Sequence, residues 1–423
     1  MRLTNFYNFA KLHKYIESLN FPYFLANRIA FSGKRTFSKL IVRVTIGAIA
    51  LAIAAIIISI AVLRGFKGEI ISKQRSFFAD VLVLRYDLNK SYENSPISIT
   101  PELRKSILAI PEVSSISSFA TKAGIINVND EVEGVVLKGI DSLYNQQPLQ
   151  RMLIDGTMID FKSDNADNQI LVSKYLADRL LLKVGDDFIM YFVQDPIRKR
   201  KFVIKGIFNT GSEELDKVYV IGSLNVIRKL SNLDDHEVGG YEIRIKDFSQ
   251  LENTTNKVED LLPIDMQAIN IKDQVPDIFQ WLELLDMNTK IIFILMTIVA
   301  IINMISALLI TILERTSMIG ILKALGYHNA GIRRVFMYSA LYLIGLGLLI
   351  GNLIGLGFYF FQDFTHFFKL DEKTYYISYV AVRLQWSDVI FVNMAVVFIG
   401  MISLFIPSML ITKISPIKAI SFK

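Results

Sequence analysis

The chain has 423 residues, 52% of them hydrophobic, and a mean hydropathy of +0.40, too apolar for an ordinary soluble protein of that length. Its formal charge of +6 sits on short basic edges, while residues 64–290 hold more acids than bases, which argues against a nucleic-acid partner. With no cysteine, disulfides and thiol chemistry are excluded as well.

Residues 1–40 read as a cytoplasmic amphipathic segment in which Arg2, Lys11, Lys14, Arg28, Lys34, Arg35 and Lys39 stand against one acid, Glu17. Residues 41–63 are the first of four runs long enough for a hydrocarbon core, which takes about 20 helical residues. No small-residue cleavage pattern follows, so this run predicts an uncleaved anchor. The other runs are 289–313, 335–361 and 388–411. Lys and Arg near the spans set the orientation. The 314–334 connector carries Arg315, Lys323, Arg333 and Arg334 against Glu314, and the 412–423 tail carries Lys413, Lys418 and Lys423. The 362–387 connector balances Lys369, Lys373 and Arg383 with Asp363, Asp371 and Glu372. Both termini and the 314–334 connector are therefore predicted to be cytoplasmic, with 64–288 and 362–387 on the other side.

Residues 64–288 are too many for a loop and enough for one or two domains. Strand-like runs cover 81–85, 124–128, 132–137, 187–193, 201–208, 217–221 and 241–245, and helix-like runs cover 101–109, 173–181, 224–229 and 250–262. Pro101 fits a first helical turn with Thr100 as its cap. The serines of 114–118 read as a turn. Breaks near 95–100 and 246–250 mark candidate subdomain borders. The predicted fold class is thus an α-helical membrane protein with four transmembrane helices and one large α/β (α+β) periplasmic domain inserted between the first and second.

No span carries a charged residue or a histidine at its middle; the polar residues there are Asn303 and Asn352, with Asn393 nearer an end. A carrier driven by protons or ions needs intramembrane charge, so the driving energy is expected from elsewhere. Gly347, Gly351 and Gly355 make a small-residue stripe on the third span, and Ala48 and Ala52, continued by Ile56, a weaker one on the first. Such stripes let helices approach closely, either within one chain or across a dimer.

In the 314–326 connector, Met318, Ile321, Leu322 and Leu325 recur as one apolar stripe of a short helix, and Gly326 sits where a left-handed cap belongs. Such a helix either lies in the lipid headgroups or docks into a groove on a cytoplasmic partner.

The sequence around that helix, Glu314-Arg315 followed by Ile319-Gly320, Leu322-Lys323-Ala324 and Leu325-Gly326, closely resembles the connector of MacB/FtsX-type ABC permeases, which include the lipoprotein-releasing Lol permeases. One departure is Met318, where many members carry an acid. The likeness extends along the chain. Phe24-Leu25-Ala26-Asn27-Arg28 and Arg64-Gly65-Phe66-Lys67-Gly68-Glu69 are similar to the family's amino-terminal pattern. Val172-Ser173-Lys174-Tyr175-Leu176-Ala177, Leu182-Lys183-Val184-Gly185-Asp186 and Gly211-Ser212-Glu213-Glu214-Leu215-Asp216 resemble its outer core, and Ser415-Pro416-Ile417-Lys418-Ala419-Ile420 its carboxy-terminal motif.

The resemblance implies a non-catalytic permease whose connector helix, with Glu314, Arg315, Met318, Ile319, Ile321, Leu322, Lys323, Leu325 and Gly326, seats in a separate ATPase. Two copies of that ATPase would serve two permease protomers, homo- or heterodimeric, and would bind ATP and Mg themselves. The chain agrees in lacking a phosphate loop: Ser32-Gly33-Lys34-Arg35-Thr36 has Arg28 where the first glycine belongs and Arg35 after the lysine. The implied cargo is a lipoprotein, with a periplasmic chaperone as a further partner; a MacB-like export of peptides or small molecules and an FtsX-like activation of a cell-wall hydrolase are the alternatives. His13, His236, His328 and His366 are scattered, so no metal is expected. The acids Glu213, Glu214 and Asp216 read as a structural turn. Arg198, Lys199, Arg200 and Lys201 follow a short connection between strands and read as a solvated hairpin or as a contact for anionic lipid headgroups or an acidic partner.

Overall fold

The computed structural model describes residues 22–26, 36–87, 91–129, 131–375 and 377–414. The amino-terminal basic cluster, the Ser32–Lys34 segment, Asn27-Arg28 and the Ser415–Ile420 motif lie outside them. Two compact units emerge. One holds the described residues up to Phe66 with Leu284–Phe368 and those from Val380 onward; the other is Lys67–Glu283 with Lys369–Tyr379.

The chain enters the α/β unit within helix α1 (Thr36–Phe77), 42 residues and about 63 Å of helix at 1.5 Å per residue. The hydropathy window ends at residue 63, but the helix continues for fourteen residues into a charged stretch. The boundary predicted there marks where the apolar run ends, not where the helix does. From it follow β1 (Val81–Arg85), α2 (Pro101–Leu108), β2 (Val113–Val128), β3 (Glu131–Ile140), β4 (Leu153–Gly156), β5 (Gln169–Ser173), α3 (Lys174–Leu180), β6 (Asp187–Phe192), β7 (Arg198–Phe208), α4 (Glu213–Val218), β8 (Tyr219–Ser223), α5 (Leu224–Ser231), β9 (Gly240–Ile245), α6 (Leu251–Glu259) and β10 (Met266–Asn270).

The ten strands form one sheet in the order β10-β1-β9-β2-β3-β8-β5-β7-β4, with β6 pairing to β2 and β7. Most pairs are antiparallel; β3 with β8 and β5 with β7 are parallel. Strand β1 lies before the break at 95–100 and pairs with β9 and with β10, which lies beyond the break at 246–250. Hydrogen bonding thus bridges both predicted borders, and they divide nothing. The serines of 114–118 are not a turn either: they form the first part of β2, paired to β9 through Ser115↔Arg244 and Ser117↔Glu242, with a bulge between Val113 and Ser115. Ile116 and Ser117 are both buried there, while Ser114 is exposed and Ser115 and Ser118 are half-buried.

Three helix starts here share one device. The side-chain oxygens of Thr100, Ser173 and Ser223 accept from the N–H of Leu103, Leu176 and Asn225, capping donors that α2, α3 and α5 expose.

The other unit contains the remaining apolar helices: α7 (Pro276–Glu314) from Leu284 onward, α8 (Thr316–Ala324), α9 (Asn329–Thr365), α10 (Trp386–Ser408) and the short α11 (Leu410–Lys413). With α1, helices α7, α9 and α10 give four that are long and apolar enough to cross a membrane. Their core is built by Ile49, Ile53, Ile57, Met304, Leu308 and Ile344, continued by Ile312, Ile319, Phe336 and Ile411.

Candidate functional site

Helix α7 ends at Glu314, Arg315 leaves helical geometry, and α8 begins at Thr316. The end of α8 is closed by a glycine cap. Gly326 has φ +84°, its N–H reaches the Lys323 carbonyl at 3.0 Å, and the Tyr327 N–H reaches back to the Leu322 carbonyl at 2.9 Å. A side chain at position 326 would strain this left-handed turn.

The structure splits the apolar stripe predicted on α8. At 100° per residue, Ile321, Leu325, Met318, Leu322 and Ile319 together span an arc of about 160°. One edge is inside: Ile319 and Gly320 are buried, and Met318 and Leu322 pack half-buried against the core containing Ile312, Ile332, Phe336 and Leu404. The other edge is outside, with Ile321 50% and Leu325 78% exposed. The arc is wider than the core beneath it can cover.

Lys323, grouped with the partner-facing residues by sequence, turns inward. Its Nζ donates to the carbonyls of Ile411 at 2.5 Å and Ile414 at 2.8 Å, with Thr412 at 3.5 Å. Burial pushes its pKa below the ordinary lysine value. Arg315 and Glu314 are half-buried at the helix junction.

The glycine stripe on α9 faces α1 of the same chain. A Cβ added to Gly347 would lie 2.6 Å from Ile49 Cγ2, one on Gly351 would lie 2.7 Å from the Ala50 carbonyl oxygen, and one on Gly355 would lie 3.0 Å from Ile57 Cβ. The large members of the pairs are thus isoleucines, not the alanines that sequence singled out. Ala52 and Ile56 instead line a small apolar cavity with Met296, Thr297, Ala300 and Met304 of α7, and Ala48 is half-buried. The polar residues of the spans behave differently from one another. Asn352 and Asn393 join α9 to α10 through reciprocal amide bonds of 2.7 and 3.0 Å, each also donating to its own helix, at Leu348 and Val389. Asn303 is half-buried on α7.

Sequence reasoning missed the strap across the end of α1 in this unit. Gly65 lies so close to the backbone of Ala381 and Val382 that an added Cβ would sit 2.3 Å from the Ala381 carbonyl oxygen. The Arg383 N–H donates to the Ala61 carbonyl at 2.9 Å, and Arg64 pairs with Asp388 at 2.7 Å. Fully buried Gln362 donates to the carbonyls of Phe368 and Val380 and accepts from the Phe368 N–H. The available signal was one glutamine in an otherwise aromatic stretch.

In the α/β unit the last turn of α1 is held by buried charge. Lys138 Nζ, on β3, donates to the Phe77 carbonyl at 3.1 Å and pairs with Glu242 of β9 at 2.6 Å, both side chains about 5% exposed. The Lys138 ammonium also lies over the Phe77 ring at 4.9 Å. Tyr144 donates to Glu242 at 2.5 Å, and Arg244 donates to the carbonyls of Arg75 and Phe78. Arg75 in turn pairs with buried Asp80. Two cations therefore cap the carbonyl end of a helix, where its dipole favours them. Burial pushes the Glu242 carboxyl up, but Lys138, Arg244 and Tyr144 outweigh it and hold it below the ordinary carboxylate range. Burial beside that carboxylate pushes the Tyr144 hydroxyl well above the usual phenol value.

The remaining candidates are accounted for locally. The acids expected to form a turn, Glu213, Glu214 and Asp216, lie instead in helix α4, and Asp216 accepts from the N–H and the hydroxyl of Thr210, tying the preceding loop to that helix. The run Arg198–Lys201 is not the hairpin's solvated tip: it is the first part of β7, paired residue by residue with Phe192 back to Ile189. Arg198 donates to the carbonyls of Lys229 and Leu230 at the end of α5, and Lys201 pairs with Asp187, leaving Lys199 and Arg200 pointing to solvent. Among the described residues no group of three or more His, Asp or Glu side chains is placed to hold a metal ion.

Comparison with known proteins matches residues 44–261 to the MacB-like periplasmic core domain and residues 290–416 to the FtsX-like permease C-terminal domain. The chain is similar to the lipoprotein-releasing system transmembrane protein LolC of Neisseria meningitidis, at 24% identity over 408 residues, covering 92% of this chain and 95% of that one. It is similar to LolE of Haemophilus influenzae at 21% identity over 431 residues, with 95% and 100% covered. It also aligns with the macrolide export ATP-binding/permease protein MacB of Wolinella succinogenes at 22% identity, covering 74% of this chain and 50% of that protein.

Proposed function

The chain belongs to the MacB/FtsX-type permeases of ABC transporters, close to their Lol branch, and on that premise we propose that it turns ATP hydrolysis by a separate ATPase into the extraction of lipoproteins from the inner membrane. The observation carrying the reading is the split face of α8. A helix whose inner edge is set into the helical core and whose outer edge offers Ile321 and Leu325 is shaped to be pushed by something that grips that edge. In this reading α8 and both termini are cytoplasmic. ATP and Mg are bound by the ATPase, two copies of which serve this chain and a second permease protomer. The α/β domain lies on the periplasmic side and meets the lipoprotein, with a chaperone taking the cargo onward. Lys199 and Arg200 are the residues of the basic run free to meet anionic lipid headgroups or an acidic partner.

The test uses the full chain co-expressed with its ABC ATPase subunit. Leu325→Asp is expected to abolish co-purification of the ATPase while the permease still inserts and folds; retention of the ATPase sinks the docking role. Lipoprotein sorting is then followed on depletion of the chain, and unchanged sorting sinks the cargo assignment.

A second reading, MacB-like export of peptides or small molecules, is favoured by the match of the MacB-like core over 44–261. The Lol relatives are covered over 95% and 100% of their length, the MacB relative over 50%, which supports the first reading. Crosslinking from the α/β domain in cells separates the two: lipoprotein adducts support extraction, and adducts with a periplasmic adaptor support export.

A further inference from the structure

We infer that Lys323 is a positioning residue, an internal latch that makes the connector helix α8 and the end of the fourth span move as one. Lys323 is on α8, and its three acceptors, Ile411, Thr412 and Ile414, lie at the close of α11, directly after α10. An ammonium has three N–H donors and no acceptor, so it suits a helix end whose last carbonyls have spare acceptor capacity and carry the negative pole of the helix dipole; the Ile411 carbonyl also accepts from the Ile414 N–H, at a long 3.4 Å. The chain there is built for such a fastener. Pro407 lies inside the final turns of α10, a break follows at Met409, and α11 is only four residues long, too short to be stable by itself. Ile411 is fully buried in the same core as Ile319 of α8, and Ile414 packs on it. One polar clasp thus secures an apolar contact between the two segments. Removing the ammonium leaves the apolar contact in place but frees the carbonyls, so the segments stay folded and lose their fixed relation.

The inference rests on the reading that an ATPase drives α8, and it assigns Lys323 a role opposite to that of Leu325. Leu325 is gripped from outside; Lys323 passes the movement inward. The cysteine-free chain allows a clean pair of spin labels at Ala324→Cys and Leu410→Cys, both exposed. In lipid nanodiscs the dipolar broadening between these labels is expected to be sharp in the parent protein, smeared in Lys323→Met, and restored in Lys323→Arg, which keeps donors for the carbonyls. With the co-expressed ATPase subunit, Lys323→Met is expected to hold the ATPase and hydrolyse ATP but to release at least about fivefold less lipoprotein per ATP, the low end of ordinary coupling energies. Lys323→Arg should regain most of that ratio. Unchanged label broadening in Lys323→Met overturns the latch. So does loss of ATPase binding, which would make Lys323 a contact, and so does a smeared label distance with intact release per ATP, which would make the bond structural only. If Leu325→Asp retains the ATPase, the docking reading fails while the label measurement still decides the latch.

Discussion

Helix α1 is held by shape in one region and by charge in another. Along the spans, Ile49, Ile53 and Ile57 fit over Gly347, Gly351 and Gly355 with no charged side chain at the contact. In its last turn Lys138 and Arg244 bind its carbonyls, with Glu242 and Tyr144 behind them. The difference follows from the surroundings. Between helices in lipid there is no hydrophobic drive, so close van der Waals contact must supply the affinity, and small residues permit it. In a domain surrounded by water any apolar face will bury itself, and the directional bonds of buried charges fix which arrangement is taken.

That contrast can be broken most sharply at Lys138. Lys138→Met leaves Glu242 buried without its cation, and a loss of about 3–5 kcal/mol is expected, the usual effect of breaking a buried pair from one side. Urea unfolding of the purified chain, followed by near-ultraviolet circular dichroism, reads it. The double variant Lys138→Met, Glu242→Leu should recover most of that loss; if it is as unstable as the single variant, charge is not what matters at this helix end. The same pair predicts a pH dependence. Glu242 is held below its ordinary value in the folded chain, so its stabilisation is complete above roughly pH 4.3 and drains as the pH falls below it. An acid limb of the stability curve should therefore shrink in the double variant.

A smaller loss is expected where shape governs. Gly351→Ala puts a methyl 2.7 Å from the Ala50 carbonyl oxygen and 2.8 Å from Ile53 Cβ, and overpacking of this kind costs about 1–3 kcal/mol. A fall in the melting temperature in nanodiscs, without any change in pH profile, would separate this grip from the charged one. An unchanged melting temperature would mean the helices part easily. The smallest effect on stability belongs to Leu325→Asp, within about 0.5 kcal/mol, because that side chain is already in solvent. A large loss there would show that the outer edge of α8 is part of the fold.

The parts legible in sequence are those governed by local rules. Residues 81–85 alternate and form β1; Thr100 before Pro101 caps α2; Gly326 follows the last periodic residue and takes the left-handed turn. Hydropathy located four spans but cut α1 at residue 63 and began α7 near 289, since it registers lipid-compatible residues and not helical hydrogen bonds. Relations across the chain were hidden for a different reason. Lys138 and Glu242 are 104 positions apart, and Lys323 and Ile411 are 88 apart. Nothing in either neighbourhood says which carbonyl or carboxylate the fold will bring. The stripe on α8 was visible, but its division into a buried and an open edge depends on how far the neighbouring helices reach.

The pairing of isoleucines and glycines at matched four-residue intervals also limits how α1 and α9 can slide. An axial shift of one step, about 6 Å at 1.5 Å per residue, seats Ile49 against the place of Gly351, or Ile53 against that of Gly347, and so keeps two of three rungs. A shift of half a step drives each isoleucine into the side chains between glycines. The ladder therefore works as a detent: the two helices have a few allowed registers and a barrier between each, so any stroke along this seam would come in whole steps.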